Sequence, residues 1–222
     1  MKRKSIAIVL AALLLMGALP ITAGSAGLPS ITQKKASAPA PDVPSDWAIA
    51  EVNAAIAAGL VPESLQRNYT QAVSRGAVAQ MFINLVEQTT GKGIDEYLAG
   101  KGTAINSSAF SDTADKAALA ANALGLIHGM GDGRFDPDGT LTRAQIAAII
   151  NRYAIQFGVN VSGYSHSFTD VSDHWVNSEL GWPVHAGIIN GVGDNKFDPD
   201  GKLATEQAIA ITYRAFMADV AK

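Results

Sequence analysis

The residues GDGRFDPDG at 131–139 return almost unchanged as GDNKFDPDG at 193–201. Runs so rich in aspartate could hold calcium, supply paired carboxylates for acid–base work, or turn the chain. Calcium loops between helices take oxygen ligands at positions 1, 3, 5 and 12 and a glycine at position 6. Counted from Asp132, position 3 is Arg134, position 6 is Pro137 and position 12 is Arg143; counted from Asp136, position 5 is Thr140 and position 12 is Ala147. That spacing does not suit calcium, and the sequence implies no metal site and no cofactor. The histidines (His128, His166, His174 and His185) form no His-Glu-x-x-His pair. No Gly-x-Ser-x-Gly turn occurs, and there is no cysteine nucleophile. His174 and His185 stand eleven residues apart on what reads as one short helix, with solvated surface positions as the simpler account. Abundant loop aspartates keep a cell-wall glycoside hydrolase as a remote alternative. The chain is read as non-catalytic.

The doubled loop belongs to a longer repeat. Residues 125–129 (GLIHG) align with 187–191 (GIING), and 141–145 (LTRAQ) align with 203–207 (LATEQ) without a gap. Upstream, Phe110-Ser111-Asp112 matches Phe168-Thr169-Asp170 after four extra residues in the later copy. A weaker copy opens the folded part: residues 42–47 (DVPSDW) match 170–175 (DVSDHW), and Val73-Ser74-Arg75 corresponds to Leu141-Thr142-Arg143.

Each unit predicts a short helix, a loop and a longer amphipathic helix. The short helix starts near the Trp, with Ser45 or Asp46 as N-cap in the first unit, and stops at Gly59 or Gly187. Ile146, Ile149, Ile150 and Tyr153 form one apolar stripe, repeated as Val78, Met81, Phe82 and Leu85. Thr142 with Gln145 makes a capping box. Phe135 and Phe197 should plug the loops into the core, while Pro137 and Pro199 turn them. One helical pair is too small to bury its own apolar face, so the three units should share one core. Trp47 and Trp175 read as core residues at the start of a short helix, with groove-facing rims as the alternative.

The chain opens with Lys2, Arg3 and Lys4, an apolar run at 6–19 and small residues at 22–27, the layout of a secretory signal. The expected organisation is a signal peptide at 1–26 and a flexible linker at 27–41. Units follow at 42–90, 109–160 and 167–220, with an insertion at 91–108 carrying a short helix at 94–98. The run at 6–19 is short for a membrane span, and no stable span is expected after cleavage. Removing 1–26 shifts the formal charge from −3 to −6, a poor match for nucleic acid or a polybasic membrane contact.

The linked motifs F-x-D-V-x-x-x-W (168–175), G-I-I-x-G (187–191), G-D-G-x-F-x-P (131–137) and T-R-A-Q (142–145) resemble the S-layer homology module, over about residues 42–220. The resemblance implies an all-α fold, three helix–loop–helix repeats in a pseudo-threefold, spindle-like bundle. It implies a secreted, non-catalytic anchor at the cell wall. The partner would be secondary cell-wall polysaccharide, commonly with a pyruvate ketal on its terminal sugar, bound in grooves between modules. Surface protein–protein assembly, including self-association in an S-layer-like structure, is the alternative.

Carried onto this chain, the anion contacts are Arg75 and Arg143, supported by Asp42, Trp47, Asp112, Gly131, Gly133, Asp170, Trp175 and Gly193. A ketal carboxylate suits one bidentate guanidinium, and a helix N-terminus should add free backbone N–H groups. Without the resemblance, the arginines would be read as surface residues paired with Asp136 or Asp138. The third unit has Thr205 in place of the arginine and Ala204 in place of the capping Thr. The second lacks the Trp. The first replaces the loop by residues 60–71, with Tyr69 standing in for Phe. Pro183 should kink the third short helix. At most two working grooves are expected.

Overall fold

The computed structural model describes residues 42–218. The expected signal peptide and linker lie outside the described residues. Among the described residues the regular structure is helical: α1 (Ile49–Ala57), α2 (Arg75–Thr90), α3 (Ile94–Gly100), α4 (Lys116–Ala123), α5 (Arg143–Gln156), α6 (Gly181–His185) and α7 (Thr205–Met217). Two 3-10 helices, Glu63–Leu65 and Trp175–Glu179, complete it, and extended pairing is limited to isolated bridges. No described helix is long and apolar enough to cross a membrane. The all-α class is therefore as expected.

The long helices start where the sequence places their caps. Ser74 Oγ accepts the Ala77 N–H at 3.2 Å, opening α2. At α5 the box is complete: Thr142 Oγ1 accepts the Gln145 N–H at 3.3 Å, and Gln145 Oε1 accepts the Thr142 N–H at 3.0 Å. At α7 only the return half survives, from the Ala204 N–H to Gln207 Oε1 at 3.0 Å. The short helices end as expected, before Gly59 and Gly187 at φ of 73° and 69°.

Two local expectations are corrected. Ser45 and Asp46 do not cap α1 through their side chains. The Ser45 carbonyl accepts the Ala48 and Ile49 N–H groups, while Ser45 Oγ donates to the buried Glu206 carboxylate at 2.8 Å. The third short helix is two pieces, not one kinked piece. Pro183 stands in the first turn of α6, where no N–H is needed, so it begins a helix there. His174 and His185 consequently share no helix. His174 Nδ1 accepts the Val176 N–H, and the His185 ring lies 4.5 Å from that of Tyr164.

Each long helix packs chiefly against the short helix of another unit: α2 against α4, α5 against the Trp175–Glu179 turn and α6, and α7 against α1. The helix starts are tied in the same cyclic order. Val73 N–H donates to the Leu203 carbonyl (2.8 Å), Leu203 to Leu141 (3.0 Å), and Leu141 to Val73 (3.2 Å), closing a ring of backbone hydrogen bonds. One continuous apolar core runs from Ala48 to Ala215 through every unit. The expected stripes supply it, and the Phe82 and Tyr153 rings meet edge-on at 6.2 Å between α2 and α5. The helix expected in the insertion is α3, which buries Ile94 and Leu98 and packs on α2.

Candidate binding grooves

The doubled loop is held in shape from inside. Phe135 and Phe197 are fully buried, against Phe110 at 5.1 Å and Phe168 at 5.4 Å. Asp112 accepts the N–H groups of Phe135 and Asp136, both at 2.8 Å, and Asp170 does the same for Phe197 and Asp198. The bond from Phe135 is the main cause holding the Asp112 carboxyl below its usual range. At Asp170 desolvation pushes upward, and the bonds from Phe197 and Asp198 outweigh it. In the first unit Asp42 accepts the Asn68 N–H, just before the buried Tyr69. The three early aspartates thus clamp loops.

The arginines are interunit staples. Arg75 and Arg143 open their helices and are only 4% and 7% exposed. Arg75 donates from Nε to the Phe135 carbonyl at 2.9 Å and from Nη2 to the His128 carbonyl at 2.8 Å, across to the next unit's loop. Arg143 repeats this on Phe197 (2.7 Å) and Asn190 (2.6 Å). Each guanidinium lies over the ring it serves, Arg75 at 4.9 Å from the Phe135 centroid and Arg143 at 4.7 Å from that of Phe197. Desolvation lowers both arginine pKa values, with Asp136 and Asp112, or Asp198 and Asp170, pulling the other way. Neither arginine is the surface residue paired with Asp136 or Asp138 that the sequence alone would suggest. The bonds described use Nε and Nη2 of each guanidinium.

The free helix N-terminus expected beside each arginine is not there. The Arg75 and Gly76 N–H groups go to the carbonyls of Gly139 and Pro137, and those of Arg143 and Ala144 to Gly201 and Pro199. The third N–H of each helix is taken by its cap. The backbone N–H groups at both helix starts are therefore already engaged within the fold.

Two grooves are built on one plan. In the first, Arg75 is at the floor, Ile127, His128 and Gly129 form one side, Arg152 of α5 forms the wall, and Trp175 stands at the rim. In the second, Arg143, Ile189, Asn190, Gly191, Arg214 and Trp47 take the same places. All three units therefore contribute to each. Trp47 and Trp175 are 52% and 55% exposed, which overturns the core reading. The exposed Met130, which follows the lining Gly129, extends the apolar rim of the first groove.

Gly131, Gly133 and Gly193 sit at the loop tips with positive φ and open space around them, outside the groove linings. The glycines that matter to groove shape are Gly129 and Gly191. A Cβ there would lie 2.8 Å from the Arg134 carbonyl or 2.5 Å from the Lys196 carbonyl. At the third junction Thr205 Oγ1 donates to the Gln71 carbonyl at 3.2 Å, and Asn84, in the place of Arg152, donates to the Leu60 carbonyl. That junction has no cation at either position.

Sequence reasoning missed Arg152 and Arg214. The signal was present, because both lie at the same offset within the repeat, nine residues beyond Arg143 and Thr205. Residues 109–147 and 167–203 match the S-layer homology domain family. The chain is 32% identical over 114 residues to a cell surface protein of Thermoanaerobacter kivui, covering 48% of this chain and 15% of that protein. It is 28% identical over 150 residues to a cellulosome-anchoring protein of Acetivibrio thermocellus, covering 64% and 32%. An amylopullulanase of Thermoanaerobacterium thermosulfurigenes is 34% identical over 92 residues, covering 41% and 5%. The chain thus spans less than a third of the length of each of these relatives.

Proposed function

Because the chain carries S-layer homology domains at residues 109–147 and 167–203, we propose that it anchors at the cell wall by holding secondary cell-wall polysaccharide in the grooves of Arg75 and Arg143. The three units at 42–90, 109–160 and 167–220 act as one pseudo-threefold body. The cyclic backbone bonds among Val73, Leu141 and Leu203 support that arrangement. The protein works at the cell surface as a grip, in keeping with the surface and anchoring roles named for its relatives.

The observation that carries this reading is the pairing, in each groove, of a buried guanidinium floor with an exposed indole rim. Such a rim offers an apolar face for a sugar ring, and a guanidinium takes a carboxylate in two-point geometry. A pyruvate ketal on the terminal sugar supplies both a carboxylate and a methyl group, which suits a groove that is cationic below and apolar above.

The test is a sedimentation assay with purified cell wall, before and after acid removal of the ketals, using Trp47→Ala/Trp175→Ala as the variant. Both indoles are more than half exposed, so the melting temperature should stay close to that of the parent chain. Wall binding should fall at least about tenfold in the variant, and by a similar factor when the ketals are removed. Full binding by the double variant would remove the grooves from the account. Full binding after ketal removal would leave the grooves and reject the ketal.

A further inference from the structure

The two grooves share a plan and differ in charge. In the Arg75 groove the wall cation, Arg152, makes one hydrogen bond, from Nη1 to the Leu126 carbonyl at 3.3 Å. Among the described residues no carboxylate pairs with it. The acid that the repeat brings to this wall is Glu179, four residues after Trp175. Its carboxylate goes instead to Asn151, whose Nδ2 donates to Glu179 Oε2 at 2.8 Å and to the Glu179 carbonyl at 2.7 Å. Asn151 is buried, and its Oδ1 has no partner among the described residues. A buried amide is thus spent on holding this acid away from Arg152.

In the Arg143 groove the corresponding acid is Glu51, four residues after Trp47, and the position matching Asn151 is Tyr213. With no amide to draw it aside, Glu51 takes Arg214 at two points, Nε to Oε1 and Nη2 to Oε2, both 2.7 Å. A ligand carboxylate reaching Arg214 must displace an existing two-point carboxylate, exchanging one ion pair for another. One reaching Arg152 displaces a weak bond to a carbonyl. His128 lines the Arg75 groove beside Arg152, and burial first and the Arg152 charge second hold its pKa below the ordinary histidine value. Its counterpart is the uncharged Asn190.

We infer that the Arg75–Arg152 groove takes the anionic end of the wall glycan in preference to the Arg143–Arg214 groove, with Arg152 and Glu51 as the residues that set the difference. The second groove then serves neutral sugar or a weaker second anion. This rests on the carbohydrate-binding reading above. It predicts non-equivalent sites in one molecule.

The indole N–H signals of Trp175 and Trp47 report the two grooves separately by NMR, and the buried Trp182 serves as internal control. The probes are a hexose glycoside bearing a 4,6-linked pyruvate ketal and the methyl ester of the same compound, which is neutral. With the acid, the Trp175 signal should titrate at concentrations about tenfold lower than that of Trp47. With the ester, the two should lie within about threefold. Glu51→Gln should move the Trp47 curve toward that of Trp175; Arg152→Gln should abolish the preference, and Arg152→Lys should restore part of it. Trp47 titrating with or before Trp175 in the acid would overturn the inference, as would an unmoved Trp47 curve in Glu51→Gln. If neither indole responds to acid or ester in the parent chain, the carbohydrate reading falls and takes this inference with it.

Discussion

Arg75 and Arg143 each hold a neighbouring loop through two carbonyls while lying at the floor of a groove. Replacing either by Ala would strand buried carbonyls, so weakened binding in such a variant would report folding as much as recognition. The clamping aspartates allow a cleaner test. The folded pKa values of Asp112 and Asp170 lie below the unfolded ones, so their contribution is complete above the unfolded value and is lost as pH falls through the folded value. Thermal melts of the parent chain should therefore drop steeply below about pH 4. Asp112→Asn/Asp170→Asn should melt lower at pH 7 and lose less over the same acid window. Equal acid losses in both proteins would reject the clamp. The resemblance to the S-layer homology module pointed to the motif arginines and the early aspartates, because the chain keeps those motif positions at Arg75, Arg143, Asp42, Asp112 and Asp170. Sequence alone misplaced the Trp side chains, because a tryptophan at a helix start looks the same whether it faces a core or a groove. It passed over Arg152 and Arg214, which reach the grooves only because helices of different units meet there.

At the scale of single elements, local chemistry was the most readable part. The stripes of α2 and α5, the box at Thr142 and the stops at Gly59 and Gly187 are where the residue types put them. The broken third short helix was harder to read. Gly181 lies so close to the Tyr164 carbonyl that a Cβ would come within 2.2 Å, a constraint set by a distant stretch of chain. The three long-helix starts form a natural comparison, since Ala204 lacks the oxygen that Ser74 and Thr142 provide. Ala204→Thr should raise stability by about 1 kcal/mol, and Thr142→Ala should lower it by about 1 kcal/mol, in urea denaturation. No change in either variant would mean that the interunit bonds of the first turn, not the caps, fix these starts.

At the scale of the whole folded part, the repeat shows three units but not their interlocking. Nothing in the self-similarity tells that α2 should rest on α4, or that the first unit's loop should close on α7. Those pairings need the carbonyls of one unit to meet the N–H groups and arginines of another. The described body should therefore unfold as one cooperative step, and removal of residues 167–222 should abolish cooperative melting rather than leave two stable units. A sharp transition in that truncated chain would contradict the shared core. The join between the first and last units has a mechanical side as well. The front of the body is fastened to α7 by Ser45 on Glu206 and Glu51 on Arg214, residues more than 160 positions apart. Tension arriving at residue 42 is thus passed directly to the last helix, and the load is shared across the closed ring instead of peeling one unit at a time.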